Sequence, residues 1–393
     1  MKINCNYLNL DENYLFQKVN ERISSFRIKN KKSKIINLGI GDVKFPLPMS
    51  VIESCVKSSY EMASRDTFRG YGPNGGYSFL KEKIQEDYNS KGIHVELDEI
   101  FISDGAKSDM SNILDIFSRD NVCLIPDPVY PVYLDTNIMD GRKIIFLNAS
   151  EENNFLPEPY TELKADIIYI CSPNNPTGAV YSKLQLKKWV DFANNRNAVI
   201  LFDSAYESFI SEEELPKSIF EIEGSNSCAI EFKSFSKAAG FTGMRCGYTI
   251  IFKELIRENI SLNSLWDRRH STKFNGVPYI IQRAAEASLS SKGKEDYKNI
   301  LLYYKENARI ISDVLADISI EFFGGKNSPY IWLKCPNKMK SWDFFDYLLE
   351  NLNIVGTPGS GFGKNGEYYF RLSCFGEREE ILAASKKLKD MPF

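Results

Sequence analysis

The sequence predicts an α/β protein with a mostly parallel central sheet in a large domain, joined to a smaller α+β domain. Three observations predict it. Short apolar, β-rich runs recur at 122–125, 144–147, 167–170, 198–202, 229–232 and 248–251. The stretches between them are helical in pattern; in 183–194, Leu184, Leu186, Trp189, Val190 and Ala193 return at near-helical spacing. Strands alternating with helices build parallel sheets through crossovers. After about residue 285 the texture changes. A long amphipathic helix is expected over 297–318, and candidate strands at 330–333 and 368–372 flank a helix near 342–352. The expected division is an N-terminal arm and part of the small domain at 1–44, a large domain at 45–285 and a small C-terminal domain at 286–393.

Composition narrows the function. At 393 residues and 43% hydrophobic, the chain can bury a sizeable core. Lys plus Arg number 49 against 52 Asp plus Glu, a formal charge of −3, which argues against a general nucleic-acid binder. The N-terminus lacks a basic-then-apolar leader, and no apolar run approaches the roughly 20 residues that span a bilayer. None of the eight cysteines forms a C-x-x-C pair and several lie in apolar runs, so buried thiols in a reducing cytoplasm are expected. There are two histidines, His94 and His270, both expected at the surface in polar surroundings. Catalysis here is expected to proceed without histidine or metal.

The strand ends carry the chemistry. The run 167–170 leads into Cys171-Ser172-Pro173-Asn174-Asn175-Pro176-Thr177-Gly178, and 198–202 into Asp203-Ser204-Ala205-Tyr206. The run 229–232 leads into Lys233-Ser234-Phe235-Ser236-Lys237, and 122–125 into Pro126-Asp127-Pro128-Val129-Tyr130-Pro131. Open parallel sheets bind ligands beyond the carboxyl ends of their strands. A carboxylate, a lysine and phenols gathered there call for a charged, aromatic ligand.

Pyridoxal phosphate fits the set group by group. Its aldehyde needs a lysine amine, Lys237; its ring nitrogen needs a carboxylate, Asp203; its phenolate oxygen needs donors, Tyr206 and Asn175. Tyr130 offers a flat face to the ring. For the phosphate, Ser103-Asp104-Gly105-Ala106-Lys107-Ser108-Asp109 reads as a turn opening a helix, whose first N–H groups, at Ala106 and Lys107, favour a dianion. Ser234 and Ser236 add hydroxyls, and Arg245 adds a fork of donors among Gly240, Gly243 and Gly247.

In order, Asn174-Asn175-Pro176-Thr177-Gly178, Asp203-x-x-Tyr206 and Ser234-x-Ser236-Lys237 with Arg245 beyond resemble the landmarks of fold-type I class I/II aminotransferases. Further motifs are similar to the LL-diaminopimelate aminotransferase family within that class: Tyr14-Leu15-Phe16, Leu38-Gly39-Ile40-Gly41-Asp42, Ser236-Lys237-x-x-Gly240-Phe241-Thr242-Gly243, Phe274-Asn275-Gly276 and Thr357-Pro358-Gly359-Ser360-Gly361-Phe362-Gly363. The resemblance runs from about residue 3 to the C-terminus. It implies the fold-type I architecture and transfer of an amino group between an amino acid and a 2-oxo acid, with diaminopimelate as the expected substrate. It implies that Lys237 also shuttles the proton and that Arg371 clamps the substrate α-carboxylate. Tyr14, Gly41, Lys107, Tyr130, Asn175 and Asn275 would contact substrate. Tyr71 would reach the phosphate in a neighbouring subunit of a homodimer. The segment before Gly70-Tyr71-Gly72 departs from the family: Asp66 and Arg69 stand where a Glu is expected to meet the distal ammonium.

Each motif alone has a plainer explanation: Asp203 as a helix cap, Asn174-Asn175-Pro176 as a turn, Lys107 as a surface lysine, Tyr14 and Asn275 as packing or capping residues. Another substrate, or a lyase or cyclase using the same cofactor, is the alternative. A ligand-sensing regulator would need a basic DNA-binding domain that this sequence lacks, and no G-x-G-x-x-G follows a strand to suggest a nicotinamide enzyme.

Overall fold

Strands form where apolar, largely β-branched residues run without interruption, and parallel strands of that kind are buried on both faces. The computed structural model describes residues 1–10, 14–39 and 41–392; Ile40, within one of the motifs above, lies outside them. Seven strands make the central sheet: β1 (Ile100–Ser103), β2 (Cys123–Asp127), β3 (Ile144–Asn148), β4 (Ile167–Cys171), β5 (Val199–Asp203), β6 (Ala229–Ser234) and β7 (Gly247–Ile251). Their spatial order is β1-β7-β6-β5-β4-β2-β3. All run parallel except β7, which is antiparallel to both of its neighbours.

Alternate residues face opposite cores, as the period of a strand requires. Ile168, Ile170, Ile200 and Phe202 pack with Leu186, Trp189 and Val190 of the helix Lys183–Arg196. Ile167, Tyr169, Val199 and Leu201 pack on the other face with Tyr133 and Trp266. The helix Lys183–Arg196 starts at a capping box, Ser182 accepting from the Gln185 N–H and Gln185 from the Ser182 N–H, and stops at Asn197 in the left-handed region. β3 is an edge strand, and its Phe146 stays exposed.

The reversal of β7 positions the site. A parallel partner would need a long crossover, whereas β6 returns into β7 through residues 235–246 alone, which hold Lys237 and Arg245 at the carboxyl edge of the sheet.

A second core forms around an antiparallel sheet of β8 (Phe322–Gly324), β9 (Tyr330–Lys334), β10 (Thr357–Pro358) and β11 (Tyr369–Ser373), in the order β8-β9-β11-β10. Ile311 and Leu315 of the helix Ser291–Asp317, together with Phe344, Phe345, Leu348 and Ile381, cover it. Leu15, Val19 and Ile23 of the helix Leu15–Lys29 join this core, so the N-terminal arm packs with the C-terminal residues. The helix Ser291–Asp317 begins six residues earlier than its apolar pattern, because Ser290 accepts from the Gly293 N–H at 3.1 Å and caps it.

Two expectations are corrected. His270 is buried, 1% exposed, among Phe101, Trp266 and Phe274. It lies four residues after Trp266 on the helix Leu262–Lys273, and residues at that spacing share a helix face whatever charges lie between them. Six cysteines are buried, but Cys55 is only partly covered and Cys5 is exposed. Among the described residues no cluster of side chains is arranged to hold a metal, and no helix is long and apolar enough to cross a membrane.

Candidate active site

The strand ends converge. Asp203 closes β5 and is buried; its Oδ1 accepts from the Ala205 N–H at 3.0 Å and its Oδ2 from the Tyr133 hydroxyl. Burial pushes its carboxyl up, while those two donors and the charge of Lys233 pull it down. Tyr206, also buried, shares a hydrogen bond with the Tyr330 hydroxyl at 2.7 Å. Tyr130 follows β2 and packs edge-on to Tyr133 at 5.8 Å.

Arg371 enters from the second core, on β11, and is 1% exposed. One amino group donates to Asn175 Oδ1 at 2.6 Å, and the other donates to the Gly39 carbonyl at 2.7 Å and Thr357 Oγ1 at 3.3 Å. Its guanidinium lies over the Tyr330 ring at 4.4 Å and faces Phe362 at 4.9 Å. Among the described residues no carboxylate pairs with it, and its Nε–H has no acceptor. A buried, unneutralised guanidinium with an unused donor is a receptor for a carboxylate that arrives from outside.

Lys237 sits on the short helix Phe235–Ala238, and its ammonium donates to the Gly41 carbonyl. Burial lowers the amine to about 8; Asp42 opposes the shift, and Arg371 and Arg245 add to it. Gly41 permits this approach, since a Cβ there would stand 2.2 Å from the Tyr330 hydroxyl. Tyr14, at the N-terminus of the helix Leu15–Lys29, lies beneath the Lys107 ammonium at 5.4 Å.

Next to the amine is a cradle. The helix Ala106–Asn112 points its N-terminus at Arg245, with Gly105 at φ 132° and ψ 157° between them. A Cβ at Gly105 would meet Arg245 Nη2 at 2.5 Å, and one at Gly247 would meet the Gly105 Cα at 2.8 Å. Arg245 Nη1 donates to Ser236 Oγ at 3.1 Å, and Ser234 Oγ accepts from the Ser236 N–H at 3.1 Å. Unpaired N–H groups at a helix start, two hydroxyls and a guanidinium form a site for an oxyanion.

Residues 33–388 match the family described as aminotransferase class I and II. The chain belongs to that family. As a class I and II aminotransferase it is a pyridoxal-phosphate-dependent transaminase. It is 49% identical to an LL-diaminopimelate aminotransferase of Prochlorococcus marinus subsp. pastoris over 99% of each chain. It is also similar to the solved L,L-diaminopimelate aminotransferase of Chlamydomonas reinhardtii, at 38% identity and TM-score 0.94 over 99% of this chain and 98% of that one. An aromatic aminotransferase from Pyrococcus horikoshii shares the fold at TM-score 0.81 and 24% identity, over 94% and 97% of the two chains.

Within this aminotransferase the structure gathers most, but not all, of the residues expected from sequence. Lys237, Asp203, Tyr206, Asn175, Tyr130, Ser234, Ser236, Arg245, Ala106, Gly41, Tyr14 and Arg371 line one region between the two cores. Tyr71 does not join them: it is 90% exposed on the lone chain. Asn275 is exposed as well, on a loop where Gly276 comes against the Pro73 carbonyl, in the same stretch as Tyr71. Tyr133, Tyr330 and Thr357 also belong to the region and were not singled out from sequence. The three-residue spacing of Tyr130 and Tyr133 at the start of the helix Pro131–Asp140 was the available clue to the first.

Proposed function

We propose that this aminotransferase interconverts LL-2,6-diaminopimelate and tetrahydrodipicolinate, with glutamate and 2-oxoglutarate as the second pair, on the route to lysine. The carrying observation is the 49% identity to a diaminopimelate aminotransferase across 99% of both chains. Pyridoxal phosphate, when bound, supplies an aldehyde that exchanges amines and a cationic ring that withdraws electrons. The residues present suit it: an oxyanion cradle about Arg245, the buried Asp203 carboxylate and the Lys237 amine, whose value burial lowers.

In this proposal Lys237 would hold the cofactor through its amine, and its Nζ would be the group that takes and returns the proton at the substrate α-carbon. Asp203 would pair with the ring nitrogen, Tyr206 and Asn175 would donate to the ring oxygen, and Tyr130 would offer its face to the ring. With Asn175 Oδ1 engaged by Arg371, its amide N–H groups are the ones left to donate. Ala106, Lys107, Ser234, Ser236 and Arg245 hold the phosphate. Arg371 takes the substrate α-carboxylate, while Tyr14, Gly41, Lys107, Tyr130, Asn175 and Asn275 shape the rest of the substrate site.

The enzyme works as a homodimer in this reading, with Tyr71 completing the neighbour's phosphate site. Supporting this, Met49, Val56 and Tyr60 leave an apolar stripe exposed on the helix Met49–Glu61, with Phe68 and Tyr71 exposed beyond it. We place it in the cytoplasm and take residues 1–44, 45–285 and 286–393 as its arm, large and small domains. Arg69 is exposed and lies 5.8 Å from the Tyr279 ring.

The test is to mix the purified protein with LL-diaminopimelate and 2-oxoglutarate and measure glutamate. Formation of glutamate is expected. Conversion of the cofactor by aspartate or glutamate but never by diaminopimelate would replace the substrate, and no conversion by any donor would defeat the proposal.

A further inference from the structure

The roles set out above leave Tyr133 unused, although it donates its hydroxyl directly to Asp203 Oδ2. The phenol is held from several sides. Its ring, 2% exposed, stacks on Tyr169 of β4 with centroids 5.1 Å apart and planes 22° apart. Asn137, one helical turn on and fully buried, donates to the Tyr133 carbonyl at 2.7 Å and to the Tyr169 hydroxyl at 2.8 Å. The Asn137 Oδ1 in turn accepts from the Cys123 thiol at 3.0 Å. One amide thus ties together the backbone that carries Tyr133 and the ring it stacks on. A core that needed only an aromatic filler at this place would have no use for the hydroxyl.

Resting on the reading that Asp203 faces the cofactor nitrogen, we propose that Tyr133 is a positioning residue whose hydroxyl keeps the Asp203 carboxylate ionised and oriented, so that the shared proton resides on the ring nitrogen. A carboxylate and a pyridine nitrogen compete for one proton. A donor on the carboxylate stabilises its charged form and biases the proton toward nitrogen. Burial works in the opposite direction, favouring the neutral acid, and the groups near Asp203 that offset it are Tyr133, the Ala205 N–H and Lys233. The Cys171 thiol adjoins them and stays neutral, since burial and Asp203 push it up. Burial and the neighbouring carboxylate likewise keep the Tyr133 phenol protonated, hence a donor.

The experiment reconstitutes the wild-type, Tyr133→Phe and Asp203→Asn enzymes with cofactor labelled with ¹⁵N at the ring nitrogen, and follows that resonance with pH. In Tyr133→Phe the midpoint for loss of the nitrogen's proton is expected to fall by about one pH unit, the tenfold effect of one hydrogen bond to a charged group. In the double variant, removing the hydroxyl is expected to lower kcat no further than Asp203→Asn does alone, since the phenol acts through that carboxylate. If Tyr133→Phe does not retain cofactor, 3-fluorotyrosine at position 133 keeps the ring and strengthens the donor, and is expected to raise the midpoint. A midpoint unmoved by the change at Tyr133, or effects on kcat that multiply in the double variant, would overturn the proposal. A midpoint unmoved by Asp203→Asn would instead remove the underlying assignment of Asp203.

Discussion

Gly105→Ala separates the cost of making the phosphate cradle from the use made of it. At φ 132° and ψ 157° the residue occupies a backbone region that only glycine enters freely. Forcing alanine to stay there costs about 1–3 kcal/mol, with or without cofactor. The new Cβ also falls 2.5 Å from Arg245 Nη2, where ordinary contact begins at 3.4 Å, so the guanidinium must retreat by about 1 Å. Losing one charge-assisted hydrogen bond to the phosphate costs about 1.5–3 kcal/mol more, in the bound form alone. That second part corresponds to roughly 10- to 150-fold in cofactor affinity. Urea melts of the apoprotein report the first loss, and titration of apoprotein with pyridoxal phosphate, followed by absorbance, reports the second. A variant that melts like the wild type and takes up the cofactor with unchanged affinity would refute both the strain and the placement of Arg245.

The other predictions follow from single groups. The Lys237 amine must be neutral to condense with an aldehyde, and with its value lowered to about 8 the rate of reconstitution should rise through pH 7 to 9 and level off above; a rise centred near 10.5 would contradict the burial described here. Arg371→Lys should lower kcat/KM for the amino donor about 100-fold while cofactor absorbance persists, because a lysine cannot reproduce the planar fork; stopped-flow half-reactions check this. His270 is lowered to about 4 by burial, so as pH falls below about 6.5 the unfolded chain gains a proton that the folded one refuses. That drains about 2 kcal/mol of stability by pH 5, and His270→Phe should flatten this acid limb in urea melts, whereas an unchanged limb would place the sensitivity elsewhere.

The parts legible in sequence were those in which an apolar run stops at a polar residue. Asp203 and Ser234 end their strands, and Lys237 follows within a turn, so local order alone aligned them with the sheet edge. Tyr133 and Tyr330 were not legible, because a tyrosine in an aromatic stretch looks like packing until its hydroxyl finds a partner 70 or 124 residues away. β1 is not among the runs expected as strands; what makes it one is pairing with β7, far along the chain. His270 misled because flanking arginines describe a helix's outer face and say nothing of its inner one. Tyr71 and Asn275 remain on the surface of a single chain, and the use proposed for Tyr71 needs a second copy that one sequence does not position.

The covalent link is the most direct point of attack. Borohydride reduction of the cofactor-loaded enzyme, followed by proteolysis and mass spectrometry, identifies which lysine carries the pyridoxyl group. The modification is predicted on Lys237 alone, and its appearance on Lys107 or Lys233 with Lys237 untouched would contradict the arrangement of the site described above.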